Sequence, residues 1–253
     1  MTQDIPGGGA VRFNIGRVLV ESCQVLLRNF VPFMVITIVI AIPSFIIERL
    51  SIADPADPKQ VFSASGLIGW LVGLLTTALT QSALTYGTLQ DLRGQRAGLA
   101  ECVSRGLAAT PKVAIAALLW SILVGLASLL LFIPGVILIV MFWVYVPAIV
   151  VENAGITESL GRSRALTRGH RWSIFGLFAL VFIVIFGLEY LVLTKVGVEG
   201  LAAAVHSGWL LWAASAISVL VTAYVSVMTS VGYYYLRAEK EGVFIDDIAR
   251  VFD

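Results

Sequence analysis

The sequence predicts an all-α polytopic membrane protein with six transmembrane helices, and three observations predict it. Of the 253 residues, 58% are hydrophobic and 13% charged, against roughly half and a quarter in a soluble domain; the mean hydropathy is +0.93. Six apolar runs each approach or exceed the roughly 20 residues a helix needs to cross a bilayer core. With six spans, 14 of the 17 Lys and Arg residues fall on the side that carries both termini. The positive-inside rule makes that side cytoplasmic, and the expected location is the bacterial inner membrane. One bundle is expected rather than two domains. It comprises a flexible tail at 1–12, a six-span membrane domain at 13–242 and a short amphipathic tail at 243–253.

Each element has its own signal. Gly7, Gly8 and Gly9 loosen the first tail. From Phe13 to Asn29, Arg17, Glu21, Gln24 and Arg28 form one polar helical stripe opposite Ile15, Val18, Leu19 and Leu26, a helix suited to the membrane interface. The first span covers about Phe30 to Ile47, with Pro43 expected to kink it. A polar loop at 48–64 leads to the second span, about Ser65 to Gly87. A second amphipathic helix is expected over Leu99–Thr110. The third span, about Val113 to Phe132, and the fourth, Val136 to Val151, are joined only by Pro134 and Gly135, which requires an antiparallel hairpin. Ile156–Arg168 forms a third amphipathic helix. The fifth span follows at about Ser173 to Leu193, then a loop at 194–208. The sixth, about Trp209 to Leu236, is long enough to project past the hydrocarbon.

The three amphipathic helices align with one another. Ile15, Leu99 and Ile156 coincide, as do Leu19, Val103 and Leu160, and the small residues Ser22, Gly106 and Ser163. The unit is an interfacial helix plus two spans, taken three times in parallel orientation.

Three stretches carry a resemblance. YGTLQDLRGQRAGL (Tyr86–Leu99), IPGVILIVMFWVYVPAIVVE (Ile133–Glu152) and ESLGRSRALTRGHRWSIFGL (Glu158–Leu177) are similar to the six-span membrane domain of bacterial glycerophosphoryl diester phosphodiesterases and to YciC-like membrane proteins. The resemblance implies a six-span fold. It implies no phosphodiesterase activity, because in that family the chemistry belongs to a separate soluble barrel, for which this chain is expected to have no room.

No catalytic constellation is visible, and the protein is expected not to be an enzyme; a membrane-embedded lipid phosphodiesterase is the remote alternative. Hydrolysis at a metal needs clustered carboxylates and histidines. The two histidines, His170 and His206, are expected on opposite faces of the bilayer, and neither a metal nor a cofactor is expected. Arg162, Arg164, Arg168 and Arg171 set topology and contact anionic lipid, or else form a phosphate-binding site. Gly69, Gly73, Thr76, Thr80 and Gln81 of the second span and Ser215, Ser218, Thr222, Tyr224 and Ser226 of the sixth mark a face. That face either packs helices together or lines a polar cavity of a permease-like protein. Glu189 is the one acid expected within a span. Lipids are the expected partners, with a membrane protein or a second copy of the chain; nucleic acid is not. The best reading is a membrane protein that handles lipid or amphiphile, or supports a membrane complex.

Overall fold

The structure, a computed structural model, describes residues 13–50, 63–206 and 209–242. The two expected tails and most of the expected 48–64 loop lie outside them. The described elements are helices: α1 (Ile15–Arg28), α2 (Phe30–Leu50), α3 (Ala64–Leu92), α4 (Leu99–Leu130), α5 (Phe132–Met141), α6 (Tyr145–Glu152), α7 (Ile156–Thr167), α8 (Arg171–His206) and α9 (Trp209–Glu241). Five stretches are long and apolar enough to cross a membrane: Phe30–Ile47, Gly66–Leu92, Leu99–Leu130, Phe132–Glu152 and Trp212–Glu241. A sixth is obtained if α7 and Arg171–Gly187, bent by 96° from each other, count as one broken span. The protein is therefore an all-α membrane protein.

Local chemistry sets the helix boundaries. Asn14 caps α1, its side chain accepting the Arg17 N–H at 3.3 Å. Val18, Ser22 and Val25 turn that helix's buried face inward. Glycines in the left-handed region follow α3 (Gly94) and α9 (Gly242), and Asn153 takes the same conformation after α6. Three boundaries differ from those expected. Leu99–Thr110 is not a separate helix but the first part of the 32-residue α4, with Pro111 inside it. The hydrogen bond lost at Pro111 falls on the exposed Leu107 side, where it weakens the helix without ending it. Helix α8 continues to His206 through the expected 194–208 loop, where Leu201, Ala202, Ala203 and Ala204 are strong helix formers. Between α4 and α5 the chain reverses at the extended Leu131, so Pro134 and Gly135 lie in the first turn of α5, where a missing N–H costs little.

The fourth apolar run, expected as one span over Val136 to Val151, is broken. Helix α5 stops at Met141 and α6 starts at Tyr145. Pro147 has no N–H for the carbonyl of Trp143, and its ring crowds that carbonyl, so the helix cannot run straight through. Two hydroxyls of α7 meet the backbone groups freed there. Ser163 Oγ accepts the Val144 N–H at 3.1 Å and lies 3.1 Å from the Met141 carbonyl, as does Thr167 Oγ1. In an apolar setting each unpaired backbone group would be costly. Helix α7 is thus the patch that makes the break tolerable.

Packing concentrates at one end of the bundle. The run from Ser82 to Leu89 of α3 is buried except for Tyr86, and Val227, Met228, Val231, Tyr233 and Leu236 of α9 pack beside it. Membrane helices gain little from hydrophobicity when they associate, so small residues decide how closely they approach. A Cβ on Gly106 would lie 2.8 Å from the backbone of Ala83, and one on Gly232 would lie 2.3 Å from the Trp143 ring. The Trp143 indole also donates to Thr229 Oγ1 at 3.0 Å. At the other end, Leu129, Leu130, Leu131, Phe132 and Ile133 are strongly exposed, as apolar surface that lipid would cover.

Gly106→Ala should lower stability in detergent by about 1–3 kcal/mol, because backbone must move to admit the methyl group. Gly73→Ala, where a Cβ meets nothing within 4 Å, should leave the melting temperature unchanged or raise it slightly. Thermal unfolding of the two variants beside wild type checks the pair; equal effects would contradict the close α3–α4 approach.

Candidate functional site

The packed end of the bundle is also the basic end, and Glu152 is its polar centre. Glu152 is the last residue of α6, where the helix dipole disfavours a carboxylate. Neighbouring helices supply the compensation. Arg162 of α7 donates from Nε to both carboxylate oxygens at 2.9 and 2.8 Å. Tyr233 of α9 donates its hydroxyl at 2.5 Å. Arg237 of α9 stands 3.7 Å away, donates to the Tyr233 oxygen at 3.1 Å and pairs with Glu241 at 2.8 Å. Glu241 also pairs with Arg162. Burial works against the Arg162 charge, but hydrogen bonds to Glu241 and Glu152 outweigh it and raise its pKa above the usual value. The set closes on itself with two acids and two bases, and holds α6, α7 and α9 together.

Similar ties run around this end. Asp91 at the end of α3 accepts from Asn29 at 2.8 Å and pairs with Arg28 at 3.0 Å. Tyr86 donates to Glu101 at 2.5 Å, Lys112 to Asn153 at 2.6 Å, and Tyr235 to Glu21. Glu239 receives the Phe13 N–H at 2.6 Å and faces His170 at 3.4 Å.

The four arginines expected to act together are divided by the structure. Arg162 belongs to the closed network. Arg164, Arg168 and Arg171, with Gly161 and Ala165, line a separate groove of about 470 Å³. Arg164 and Arg168 are exposed and make no ion pair among the described residues. Arg171 is partly buried and its Nε has no hydrogen-bond partner there. Lys240 of α9 borders the groove, donating to the Ala165 carbonyl. Trp172, 83% exposed, stands next to it in sequence and suits an interfacial position.

The small and hydroxyl face of α3 is likewise divided. Gly73 and Gln81 line a cleft of about 400 Å³ with residues of α4 and α6. Gly69 approaches Ile47 of α2, and Thr76 bonds Ser44 of α2 at 2.7 Å. Thr80 is buried. On α9, Ser226 bonds back to the Thr222 carbonyl at 2.7 Å, and Tyr224 packs half-buried against the core. Ser218 is exposed and Ser215 partly buried. None of the α9 residues lines the cleft. The side chains of Glu189 and His206 lie outside the described residues. Sequence reasoning missed Glu152, Tyr233, Arg237 and Glu241 as a unit, and the pairing of Ser163 and Thr167 with the helix break. Among the described residues, no three His, Cys, Asp or Glu side chains are grouped to hold a metal.

Residues 96–238 match the family described as a Domain of unknown function (DUF7847). The match spans more than half of the chain, and the protein belongs to this family. It takes in Glu152, Arg162, Tyr233, Arg237 and the three groove arginines. No curated protein and no solved structure matches the chain.

Proposed function

We propose that this is a non-catalytic protein of the bacterial inner membrane that binds anionic, phosphate-bearing lipid headgroups at its basic end. The observation that carries this reading is the division of the arginines. Arg162 is neutralised by Glu152 and Glu241, whereas Arg164, Arg168 and Arg171 line a groove whose lining includes no carboxylate. Fixed cations at a membrane surface attract anionic headgroups by about 1 kcal/mol each, and planar guanidinium groups match phosphate oxygens in pairs. In this reading the chain crosses the membrane six times, with both termini and the basic end in the cytoplasm. Its three helix-span-span units run parallel, the interfacial helix of the second being fused to its span.

Replacing Arg164, Arg168 and Arg171 together by Gln should abolish preferential retention of phosphatidylglycerol over phosphatidylcholine through purification, read by lipid mass spectrometry. The variant should still fold, since none of the three closes the network. Unchanged retention in a folded triple variant would remove the lipid-binding reading.

The orientation is tested by thiol labelling in a Cys23→Ser background, which removes the exposed native cysteine and leaves the buried Cys102. Gly94→Cys should react with an impermeant reagent only after the inner membrane is opened. Phe132→Cys, at the exposed α4–α5 tip, should be the more reactive in intact spheroplasts. The reverse order would invert the topology.

A further inference from the structure

The cleft between α3, α4 and α6 is distinct from the basic groove. Its lining runs along α3 from Trp70 to Gln81, about 16 Å at 1.5 Å per residue. Trp120 of α4 and Tyr145 of α6 form its other walls, with ring centroids 6.3 Å apart and planes inclined by 24°. No charged side chain lines it. Trp70 is 53% exposed, and Thr77 and Ser121 are exposed, so the cleft is open-sided toward the surface that lipid covers.

Its polar groups are unusual for their depth. Tyr145 is only 8% exposed, and its hydroxyl makes no hydrogen bond among the described residues. The Trp120 Nε1–H is buried and also lacks an acceptor there. The Gln81 amide lines the same space without a hydrogen bond to another described residue. Trp120 lies within the apolar part of α4. Of the three, the Trp120 donor is buried as well as unpaired, which is costly in an apolar setting. The other tryptophan of the packed region differs: the Trp143 indole donates to Thr229.

We propose that the cleft binds a neutral single-chain amphiphile. Carbonyl oxygens of its head accept hydrogen bonds from Tyr145, Trp120 and Gln81, and its chain lies along α3 toward Trp70. The absence of lining charge selects against ionised heads, which would be desolvated without a counter-ion. The apolar length accommodates a hydrocarbon tail. Two sources share this chemistry, a monoacylglycerol and a short-tailed quinone. The proposal stands independently of the headgroup groove, since the two sites have no lining residue in common.

The test is photo-crosslinking in phosphatidylcholine nanodiscs. Two probes carry the same decyl tail with a diazirine, one on a glycerol ester and one on a benzoquinone head. At least one should label peptides containing Trp70–Gln81 or Ala117–Ser121 saturably, and the probe that does so identifies the source. Decyl phosphate should not compete. Gly73→Leu places a side chain where a Cβ meets nothing within 4 Å; it should retain the wild-type melting temperature and reduce specific labelling at least tenfold. Tyr145→Phe, which removes only the hydroxyl, should reduce it about fivefold and keeps the test decisive if the leucine variant fails to fold. Labelling spread evenly over lipid-facing helices, competition by decyl phosphate, or saturable labelling unchanged in a folded variant would each overturn the proposal. None of these outcomes depends on Arg164, Arg168 or Arg171.

Discussion

The pairing of Glu152 with Arg162 constrains the basic end of the bundle. Glu152 closes a helix at the end where a negative charge is least welcome, and it stands there because Arg162, Arg237 and Tyr233 converge on it from two other helices. The arrangement is partly buried, so screening by salt and water is incomplete and the pairs count for more than surface ones. The same placement docks α7, whose Ser163 and Thr167 then reach the backbone break between α5 and α6. A charged contact and a backbone repair are in this way parts of one attachment.

The two ends of the molecule follow different physical rules. At the basic end, polar ties join α1 to α3 and α9, α3 to α4, and α6 to α7 and α9, over a core in which glycine allows near backbone contact. At the other end, side chains such as Leu129, Leu130 and Phe132 are exposed, as apolar surface without a protein cover among the described residues. The cleft lies between these regimes. There the helices have begun to separate, but Tyr145 is still deeply buried.

Much of this was legible in the sequence, and the failures have identifiable causes. Hydropathy located the apolar runs because the bilayer imposes a length that local composition must meet. The fusion of Leu99–Thr110 with the next span was not legible, since an amphipathic helix looks the same whether it ends or continues. The break before Pro147 could have been foreseen from the clash with the carbonyl four residues earlier. Its repair by Ser163 and Thr167 could not, because it depends on how α7 docks. The division of the arginines was half visible. Arg164 and Arg168 lie about 200° and 240° around an ideal helix from Arg162, so the three cannot share one face. What the spacing does not give is which face meets protein, and that is decided by Glu152 and Glu241 across the bundle.

A double-mutant cycle on Glu152 and Arg162 addresses the central claim most directly. Glu152→Gln, Arg162→Gln and the double variant would be compared with wild type by unfolding in detergent. If the pair holds the basic end together, each single change leaves the other charge poorly compensated. The double variant should then be less destabilised than the sum of the two, by about 1 kcal/mol or more. Strictly additive effects would contradict the account, since they would mean that the two side chains contribute to stability independently.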